Sequence, residues 1–292
     1  MAAPTVTGAL VDPLPVDDFP PSSRSRRPSA WHFLLFPLSL VMLTPLVWMV
    51  ITAVSTTQES RQFPPKLPTA IQWSNFSDVW TGSPFGHWLL NTAIVSIVVV
   101  VSNLVLCSTA GYAFARLRFR GSGLAFMLLL ATLMVPFQVV LIPTLLIVKS
   151  FGMIDHLSAL VVPNLVTAFG VFLMRQFFLS LPPDLEEAGR IDGASRLGVF
   201  RKILLPLMGP PMATLAILTF LSIWNDFLWP LVAIQSPQNM TMQLGLSTFQ
   251  GAHLTDWPLL MAATLMSQLP VIVLFLVGQR WFVRSIASSG IK

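Results

Sequence analysis

Residues 181–206 read LPPDLEEAGRIDGASRLGVFRKILLP, a polar stretch with an apolar run on each side. Asp184 followed by Glu187 three positions later is a capping-box pattern, which predicts that a helix begins at Asp184. Gly193 predicts the C-terminal end of that helix, and Ser195 is a candidate cap for a second one. The stretch therefore predicts two short helices, joined by a tight glycine turn, lying across a membrane face.

The composition of the whole chain places it in a membrane. Of its 292 residues, 54% are hydrophobic and 10% are charged, and its mean hydropathy is +0.74. A soluble domain has roughly 25% charged residues. The pI of about 10.1 is compatible with nucleic-acid binding, but the basic residues form short clusters beside apolar runs, as membrane orientation requires. We therefore expect membrane lipid as a partner and no nucleic acid.

Six apolar stretches are long enough to cross a bilayer, which takes about 20 residues. They cover residues 31–54, 87–114, 124–148, 157–178, 207–232 and 259–282. The predicted fold class is thus an all-α membrane protein with six transmembrane helices. The transmembrane domain is predicted to cover residues 31–282. It follows a disordered tail, residues 1–30, that is rich in Pro, Ser and Asp, and it precedes a short tail, residues 283–292.

The distribution of Lys and Arg predicts the orientation of these spans. With the N-terminus inside the cell, 14 of the 17 basic residues fall on the cytoplasmic side. The three on the opposite side are Arg61, Lys66 and Lys149. Both termini and the loop at 184–206 are therefore predicted to be cytoplasmic.

The cysteine and the histidines indicate neither a disulfide nor a metal site. Cys107 is the only cysteine and lies in an apolar run, where a small buried side chain is the expected role. The four histidines are scattered, and none pairs with another at ligand spacing. The outer loop at 55–86 is rich in Pro and aromatic residues; it either lies along the membrane interface or meets an external partner.

The complete spacing of the loop at 184–206 resembles the EAA motif of ABC importer permeases. That motif is Glu-Ala-Ala, three residues, Gly, nine residues, Ile, one residue and Leu-Pro. Here Gly189 takes the place of the second Ala, and every other position matches. Caps and charges alone would indicate an amphipathic surface connector. The resemblance instead assigns coupling to an ATPase to Glu187, Ala188, Gly189, Asp192, Gly193, Ile203 and Pro206.

Shorter strings resemble the carbohydrate-uptake branch of these permeases, in particular the second permease of the maltose-type transporters. They occur in order and in the corresponding spans. They are Asn91-Thr92, the segment 111–116, Phe119-Arg120-Gly121 and the segment 224–227. The end of the chain, residues 286–292, departs from the pattern of that branch, which puts a contact of this tail with the ATPase in doubt.

The resemblance implies a type I ABC importer permease fold with a cytoplasmic coupling helix, in a bacterial cell membrane. It implies three kinds of partner: a homologous second permease, two copies of a cytoplasmic ABC ATPase and an extracytoplasmic substrate-binding protein. The implied cargo is a di- or oligosaccharide, or alternatively a glycerol phosphate or glycerophosphodiester. The chain contains no Gly-x-x-x-x-Gly-Lys-Ser/Thr loop. No cofactor is therefore expected here, ATP is expected on the partner ATPase, and the chain is not expected to be an enzyme.

Polar residues inside the predicted spans are candidates for a substrate pathway, because polar groups are costly in lipid and usually face a cavity. Gln138 and Gln268 fall near the middle of the membrane, and Asn164, Asn225 and Asp226 fall in the outer half. For Asn164 and Gln268, hydrogen bonding between helices is an equal alternative. An ion-coupled secondary transporter would carry several ionisable residues in its spans, and here Asp226 is nearly alone. A membrane scaffold without an ATPase partner is the third class.

Overall fold

The computed structural model describes residues 30–62, 67–251 and 255–289. Its regular structure there is helical, apart from one isolated antiparallel bridge between Gln250 and Thr255. The α-helices are α1 Ala30–Ala53, α2 Thr57–Ser60, α3 Ser74–Gly82, α4 Phe85–Arg116, α5 Ser122–Thr132, α6 Phe137–Ser150, α7 Leu157–Val161, α8 Ala168–Ser180, α9 Asp184–Ile191, α10 Arg196–Gly198, α11 Leu205–Leu207, α12 Gly209–Trp224, α13 Leu228–Ala233, α14 Met242–Ser247 and α15 Trp257–Ser289. Of the two predicted tails, residues 1–29 and 290–292 lie outside the described residues, and the stretch up to Ser289 continues α15.

Four helical stretches are long and apolar enough to cross a membrane by length and composition. They are Phe33–Ala53, Phe85–Arg116, Leu157–Ser180 and Trp257–Val277. These match the first, second, fourth and sixth predicted spans. Two bent helix pairs bring the number to six if each pair is one span. The predicted all-helical membrane fold is therefore confirmed.

The third and fifth predicted spans are interrupted by bends. α5 and α6 meet at 102°, with Pro136 at the start of α6. Proline cannot donate a backbone hydrogen bond and disfavours helical geometry in the residue before it, so a helix tends to stop there. The fifth stretch bends by 76° at Met208, and α12 ends at Trp224, before a break at 225–227. The apolar stretches at 124–148 and 207–232 therefore hold bent or broken helices, which is compatible with six spans if each bent pair is one span.

Helix α4 lies at the centre of the bundle, where it packs against α8 and α12. Its buried Asn103 donates to the carbonyl oxygen of Asn164 at 2.8 Å and accepts from the Thr167 hydroxyl at 2.8 Å. Cys107, one turn further on, is fully buried with its Sγ 3.4 Å from Asn103 Oδ1. The prediction of a small buried side chain at Cys107 is confirmed, and the polar contacts at Asn103 fix α4 against the start of α8.

The buried side chains form three clusters along the bundle. One cluster joins α4 and α8 to the loop at 184–206, a second joins α3, α4, α14 and α15, and the third lies among α4, α7 and α13. Much of the remaining apolar surface of the spans is exposed. Exposed apolar surface is expected of helices whose surroundings are lipid and other helices.

The loop at 55–86, predicted to be on the outer side, contains α2 and α3. Its Glu59 carboxylate accepts hydrogen bonds from the hydroxyl and amide of Thr69 at 2.6 and 2.9 Å, and from the amide of Thr56 at 3.0 Å. These bonds hold the pKa of Glu59 at about 2, below its ordinary value. The side chains of Trp73 and Trp80 are exposed, so both readings of this loop, membrane interface or external contact, remain predictions.

Candidate functional site

Helix α9 begins at the predicted residue, but without the predicted capping box. Asp184 is the first helical residue, and the cap position is Pro183, which has no side chain to accept a hydrogen bond. The amides of Glu186 and Glu187 instead bond to the Pro183 carbonyl oxygen at 2.9 and 3.3 Å. Because the fixed φ of proline suits the start of a helix, the helix begins one residue too early for Asp184 to cap it. The three acidic residues of the first turn still suit its positive dipole end.

The glycine turn after α9 is formed as predicted. Gly193 has a φ of +81°, in the left-handed region that glycine adopts without strain. Its amide donates to the Arg190 carbonyl at 3.0 Å, and the Ala194 amide donates to the Gly189 carbonyl at 2.9 Å. This pair of bonds is the Schellman arrangement that closes a helix. Ser195 then caps the next helix by accepting from the Gly198 amide at 3.2 Å, so both predicted roles are confirmed.

The second helix of the loop is longer than expected and contains a wide turn. It passes from α10 through a π-helical segment, Val199–Leu204, into α11. Pro206 lies inside it at the start of α11, where a proline would ordinarily be expected to end a helix. The end comes at Met208, where the chain bends into α12. A π turn bonds residue i to i+5 and so shifts the carbonyl that a proline ring would otherwise meet, which explains why Pro206 is tolerated.

Two positions of the motif that are fourteen residues apart meet across the loop. Gly189 is buried, and a Cβ added to it would lie 2.5 Å from Cδ1 of Ile203 and 3.3 Å from Cγ2 of Val199. The absence of a side chain at Gly189 thus makes room for Ile203. The long spacing between the two halves of the motif places the small residue and the branched one against each other.

A buried ion pair joins the loop to the end of α4. Glu186 Oε1 lies 3.0 Å from Nε of Arg116, and their side chains are 8% and 13% exposed. Nη2 of Arg116 also donates to the carbonyl oxygens of Phe178 and Leu181, at 2.7 and 2.5 Å. Arg190, one turn after Glu186, lies 3.5 Å from its second carboxylate oxygen. One guanidinium therefore connects α4, the end of α8 and the loop.

Aromatic packing reinforces this junction. The ring of Tyr112 lies 4.9 Å from that of Phe200 and 5.7 Å from that of Phe178, measured between centroids. The three rings come from α4, the wide turn of the loop and α8. Aromatic pairs at such distances stabilise beyond their buried area by about 0.5–1.5 kcal/mol. The loop is thus packed rigidly against two spans.

Sequence reasoning missed Glu186, because it singled out the neighbouring glutamate of the motif. Glu186 precedes Gly189 by three residues and Arg190 by four, a spacing that puts all three on one side of a helix. A glycine inside a helix often marks close packing, so the side of the helix that carries Gly189 could have been expected to face inward, and Glu186 with it. Its partner Arg116, seventy positions earlier, carried no local signal beyond its place at the end of a span.

The predicted coupling residues divide into an exposed group and an inner group. Exposed are Glu187, Ala188, Asp192 and Gly193. Beside them Ile191 is 85% exposed, although it is a large apolar residue. The inner group consists of Gly189 and the half-buried Ile203, with Pro206 exposed at the far end. An exposed apolar side chain at the tip of a rigid element is typical of a surface that contacts another protein.

Two of the five predicted pathway residues line one cavity. Asn164 and Asp226 line the same small cavity, of about 10 Å³, together with the hydroxyl-bearing residues Thr92 and Thr241. The Asn164 amide bonds to the Leu160 carbonyl in its own segment at 2.9 Å. The bond between segments therefore comes from the Asn164 backbone, which accepts from Asn103 as described above.

The other three predicted pathway residues are not part of the lining of this cavity. Asn225 begins the break after α12, and its Oδ1 accepts from Gln243 Nε2 at 3.4 Å. Gln268 lines an open pocket of about 440 Å³ between α14 and α15, next to Thr264. Gln138 is exposed near the start of α6. In the described residues, no three His, Cys, Asp or Glu side chains group to hold a metal ion.

Comparison with known proteins agrees with the fold. A solved bacterial ABC transporter involved in the import of the acidic polysaccharide alginate superposes with a TM-score of 0.76, at 26% identity, over 86% of this chain and 94% of that one. The arabinooligosaccharides transport system permease protein AraQ of Halalkalibacterium halodurans is 36% identical over 77% of this chain and 81% of its own length. The sn-glycerol-3-phosphate transport system permease protein UgpE of Pectobacterium atrosepticum is 34% identical over 88% of this chain and 95% of its own length.

These likenesses place the chain in a class of helical membrane proteins, the permeases of ABC importers. Residues 106–288 match the family of binding-protein-dependent transport system inner membrane components. The chain belongs to that family. It is a multi-pass inner-membrane permease, a component of an importer that also contains an ATPase and a binding protein, and it is not itself an enzyme.

Proposed function

We propose that this chain forms half of the translocation pathway of an importer for a neutral di- or oligosaccharide, and that the loop at 184–206 receives the movement of the ATPase. A homologous second permease would supply the other half. Each permease would contact one of two ATPase copies, with both termini of this chain in the cytoplasm and the binding protein on the outer side. The loop would transmit motion without taking part in any chemical step.

The observation that carries the coupling role is the buried pair of Glu186 and Arg116. A loop that moves spans must be attached to them rigidly, because coupling between two sites requires an element that both sites bias. Arg116 attaches the loop to α4 and to the end of α8 at one point. A displacement of α9 would therefore act directly on two spans.

The exposed face of α9 supports contact with the ATPase. Ile191 and Leu197, 85% and 61% exposed, provide apolar anchors on either side of the turn at Gly193. Ala188, three residues before Ile191 on the same helix, is small and exposed, so a partner backbone can approach closely. Central apolar anchors beside small residues are the usual composition of an interface that carries binding energy.

The charges of the described spans favour a neutral cargo over a phosphate. Of the five predicted pathway residues, four carry uncharged amides and the fifth, Asp226, is an acid. A phosphate is recognised by Arg, Lys or helix N-terminal amides, and a carboxylate beside it would repel it. The likeness to UgpE keeps sn-glycerol 3-phosphate as the alternative cargo.

Ala188→Trp tests the coupling role, because the exposed position leaves room for the new ring within this chain. In the purified complex of both permeases and the ATPase, we expect loss of uptake into proteoliposomes and weaker retention of the ATPase. Arg120→Trp, exposed on the same predicted side but outside the loop, serves as the control and should retain both. Normal uptake by Ala188→Trp would refute the proposed docking.

Uptake by the wild-type complex with its binding protein tests the cargo. The compounds are arabinotriose, maltotriose and raffinose as neutral oligosaccharides, and sn-glycerol 3-phosphate as the anion. We expect ATP-dependent uptake of at least one oligosaccharide, with little uptake of the phosphate. Uptake of sn-glycerol 3-phosphate without uptake of any oligosaccharide would refute the saccharide assignment and would indicate a glycerol-phosphate importer.

A further inference from the structure

The open pocket between α14 and α15 has the chemistry of a carbohydrate site. Its volume of about 440 Å³ falls in the range of roughly 300–1,000 Å³ that small-molecule sites occupy. The ten described residues that line it are all uncharged. The lining includes two aromatic rings, three amides and a threonine hydroxyl, from Phe227, Trp257, Gln243, Gln250, Gln268 and Thr264.

The two aromatic residues provide open apolar faces. Trp257, the first residue of α15, is 46% exposed, and Phe227, in the break after α12, is 40% exposed. A sugar ring presents a face of C–H groups, which pack favourably on the electron-rich face of an aromatic ring. Large rings left this accessible beside polar side chains suit a ligand that is apolar on its faces and polar at its edges.

The amides supply what the edges of a sugar require. A hydroxyl group both donates and accepts hydrogen bonds, and a glutamine side chain does the same through its NH₂ and its carbonyl oxygen. Gln243 and Gln268 approach the pocket from α14 and α15, with Thr264 one turn before Gln268. A phosphate would find no cation among the lining residues, and Asp226 and Asp256 are the chain neighbours of Phe227 and Trp257.

The wall formed by α14 is held in place by α4. The amide of Asn91 donates to the carbonyl oxygens of Gln238 and Met240 at 2.7 and 3.0 Å. The Thr92 hydroxyl accepts from the amide of Met242 at 2.7 Å, directly before Gln243. These bonds fix the segment from which α14 starts, so the pocket is formed in advance of any ligand, which lowers the cost of binding.

We propose that this pocket is a saccharide-binding subsite that this permease itself contributes, with Trp257 and Phe227 as platforms for the sugar ring and Gln243 and Gln268 as hydrogen-bonding partners of its hydroxyls. The inference rests on the proposed saccharide cargo. It goes beyond that cargo by assigning the contact to particular residues of this chain.

Protection of a single cysteine tests the site directly. Cys107 is fully buried, so Gln243→Cys introduces one accessible thiol, which is labelled with a small maleimide in the purified complex. The probe is whichever of arabinotriose, maltotriose and raffinose the complex takes up. At about ten times the dissociation constant, an occupied site should be labelled roughly tenfold more slowly. sn-Glycerol 3-phosphate should give no protection.

Two controls make the result specific. Gln235→Cys, exposed outside the pocket, should be labelled at the same rate with and without sugar. Adding Trp257→Ala to Gln243→Cys should weaken the apparent affinity about three- to tenfold, whereas Trp257→Phe should largely retain it. Ser247→Cys, also in the lining, is labelled in parallel as the second pocket cysteine, since its side chain has no assigned contact with the sugar.

The outcomes separate the site from the cargo. Equal labelling of both pocket cysteines with and without a sugar that the complex takes up overturns the subsite and leaves the cargo assignment standing. A complex that takes up none of the three oligosaccharides overturns the cargo assignment, and the subsite falls with it.

Discussion

Glu186 and Arg116, seventy residues apart in the chain, form an ion pair at 3.0 Å that is nearly closed to solvent. Removing one member of a buried pair leaves the other charge poorly compensated. Because Arg116 keeps its two carbonyl partners, we expect Glu186→Ala to destabilise the chain by roughly 2–3 kcal/mol. We also expect it to uncouple ATP hydrolysis from uptake.

Thermal unfolding of the complex and the ratio of sugar transported to ATP hydrolysed measure the two effects. Glu187→Gln is the control for stability, because that side chain is exposed and surface changes usually stay within about 0.5 kcal/mol. A Glu186→Ala complex with wild-type stability and coupling would contradict the account of this junction.

Gly189→Ala creates a contact with Ile203 that a second substitution relieves. The new Cβ would lie 2.5 Å from Ile203 Cδ1, which is the flexible end of a side chain, so we expect a cost of about 1 kcal/mol rather than misfolding. Ile203→Val removes Cδ1. In the double variant the cost of Gly189→Ala should therefore largely disappear. A double-mutant cycle of unfolding free energies checks this, and additive effects would show that the two residues do not press on each other.

At position 193 there is space for a larger side chain, but the backbone conformation favours glycine. A Cβ there would meet nothing within 4 Å, yet its φ is +81°. Gly193→Ala should therefore cost about 1–2 kcal/mol of left-handed strain, and Gly193→Asn should cost less, since Asn adopts this region more readily. Unfolding free energies of the isolated permease give the ranking. This chain leaves the space beside Gly193 open. If a bulky residue at position 193 reduces uptake far more than it reduces stability, a partner protein occupies that space.

Asp155 connects the α6–α7 loop to the α13–α14 loop, and its contribution to stability depends on pH. Its carboxylate accepts from the hydroxyl of Ser236, and from the amides of Ser236 and Gln235 at 2.8 and 2.9 Å. These bonds hold its pKa at about 2, below the ordinary 3.8. The stabilisation is therefore complete above about pH 4 and is lost as the pH falls toward 2.

Amide hydrogen exchange at Ser236, measured between pH 5 and pH 2.5, follows this loss. Asp155→Asn removes the carboxylate, while Asn is suited to the φ of +62° at this position. In that variant the Ser236 amide should exchange faster than in the wild type at pH 5. Acidification should then change its exchange rate little beyond the intrinsic pH dependence of amide exchange. An unchanged profile in Asp155→Asn would mean that another group fastens these loops.

The parts of the loop that follow local rules could be predicted from the sequence. The roles of Gly193 and Ser195 depend on a few neighbouring residues, and both are found as expected. The capping box at Asp184 failed because Pro183 is itself suited to begin a helix, a competing local rule. The apolar composition of six spans was likewise sufficient to predict an all-helical membrane fold.

What the sequence could not supply depends on distant contacts. Arg116 and Glu186 meet only because α4 and α9 pack together, and nothing in either segment specifies the other. The break after Trp224 is similarly unmarked, since residues 225–227 contain neither proline nor glycine. The grouping of Asn164 with Asp226, and of Gln268 with Trp257, likewise follows from tertiary packing rather than from depth along a span.

The wide turn at Val199–Leu204 gives this loop one residue more than an ordinary helix of the same length would hold. We expect a one-residue deletion within it to convert the turn to α-helix and leave α9 and α12 in register. Elsewhere in the loop a deletion would rotate every later side chain by about 100°. Length differences among related permeases are therefore best aligned at this turn, and grafted loops are best joined there.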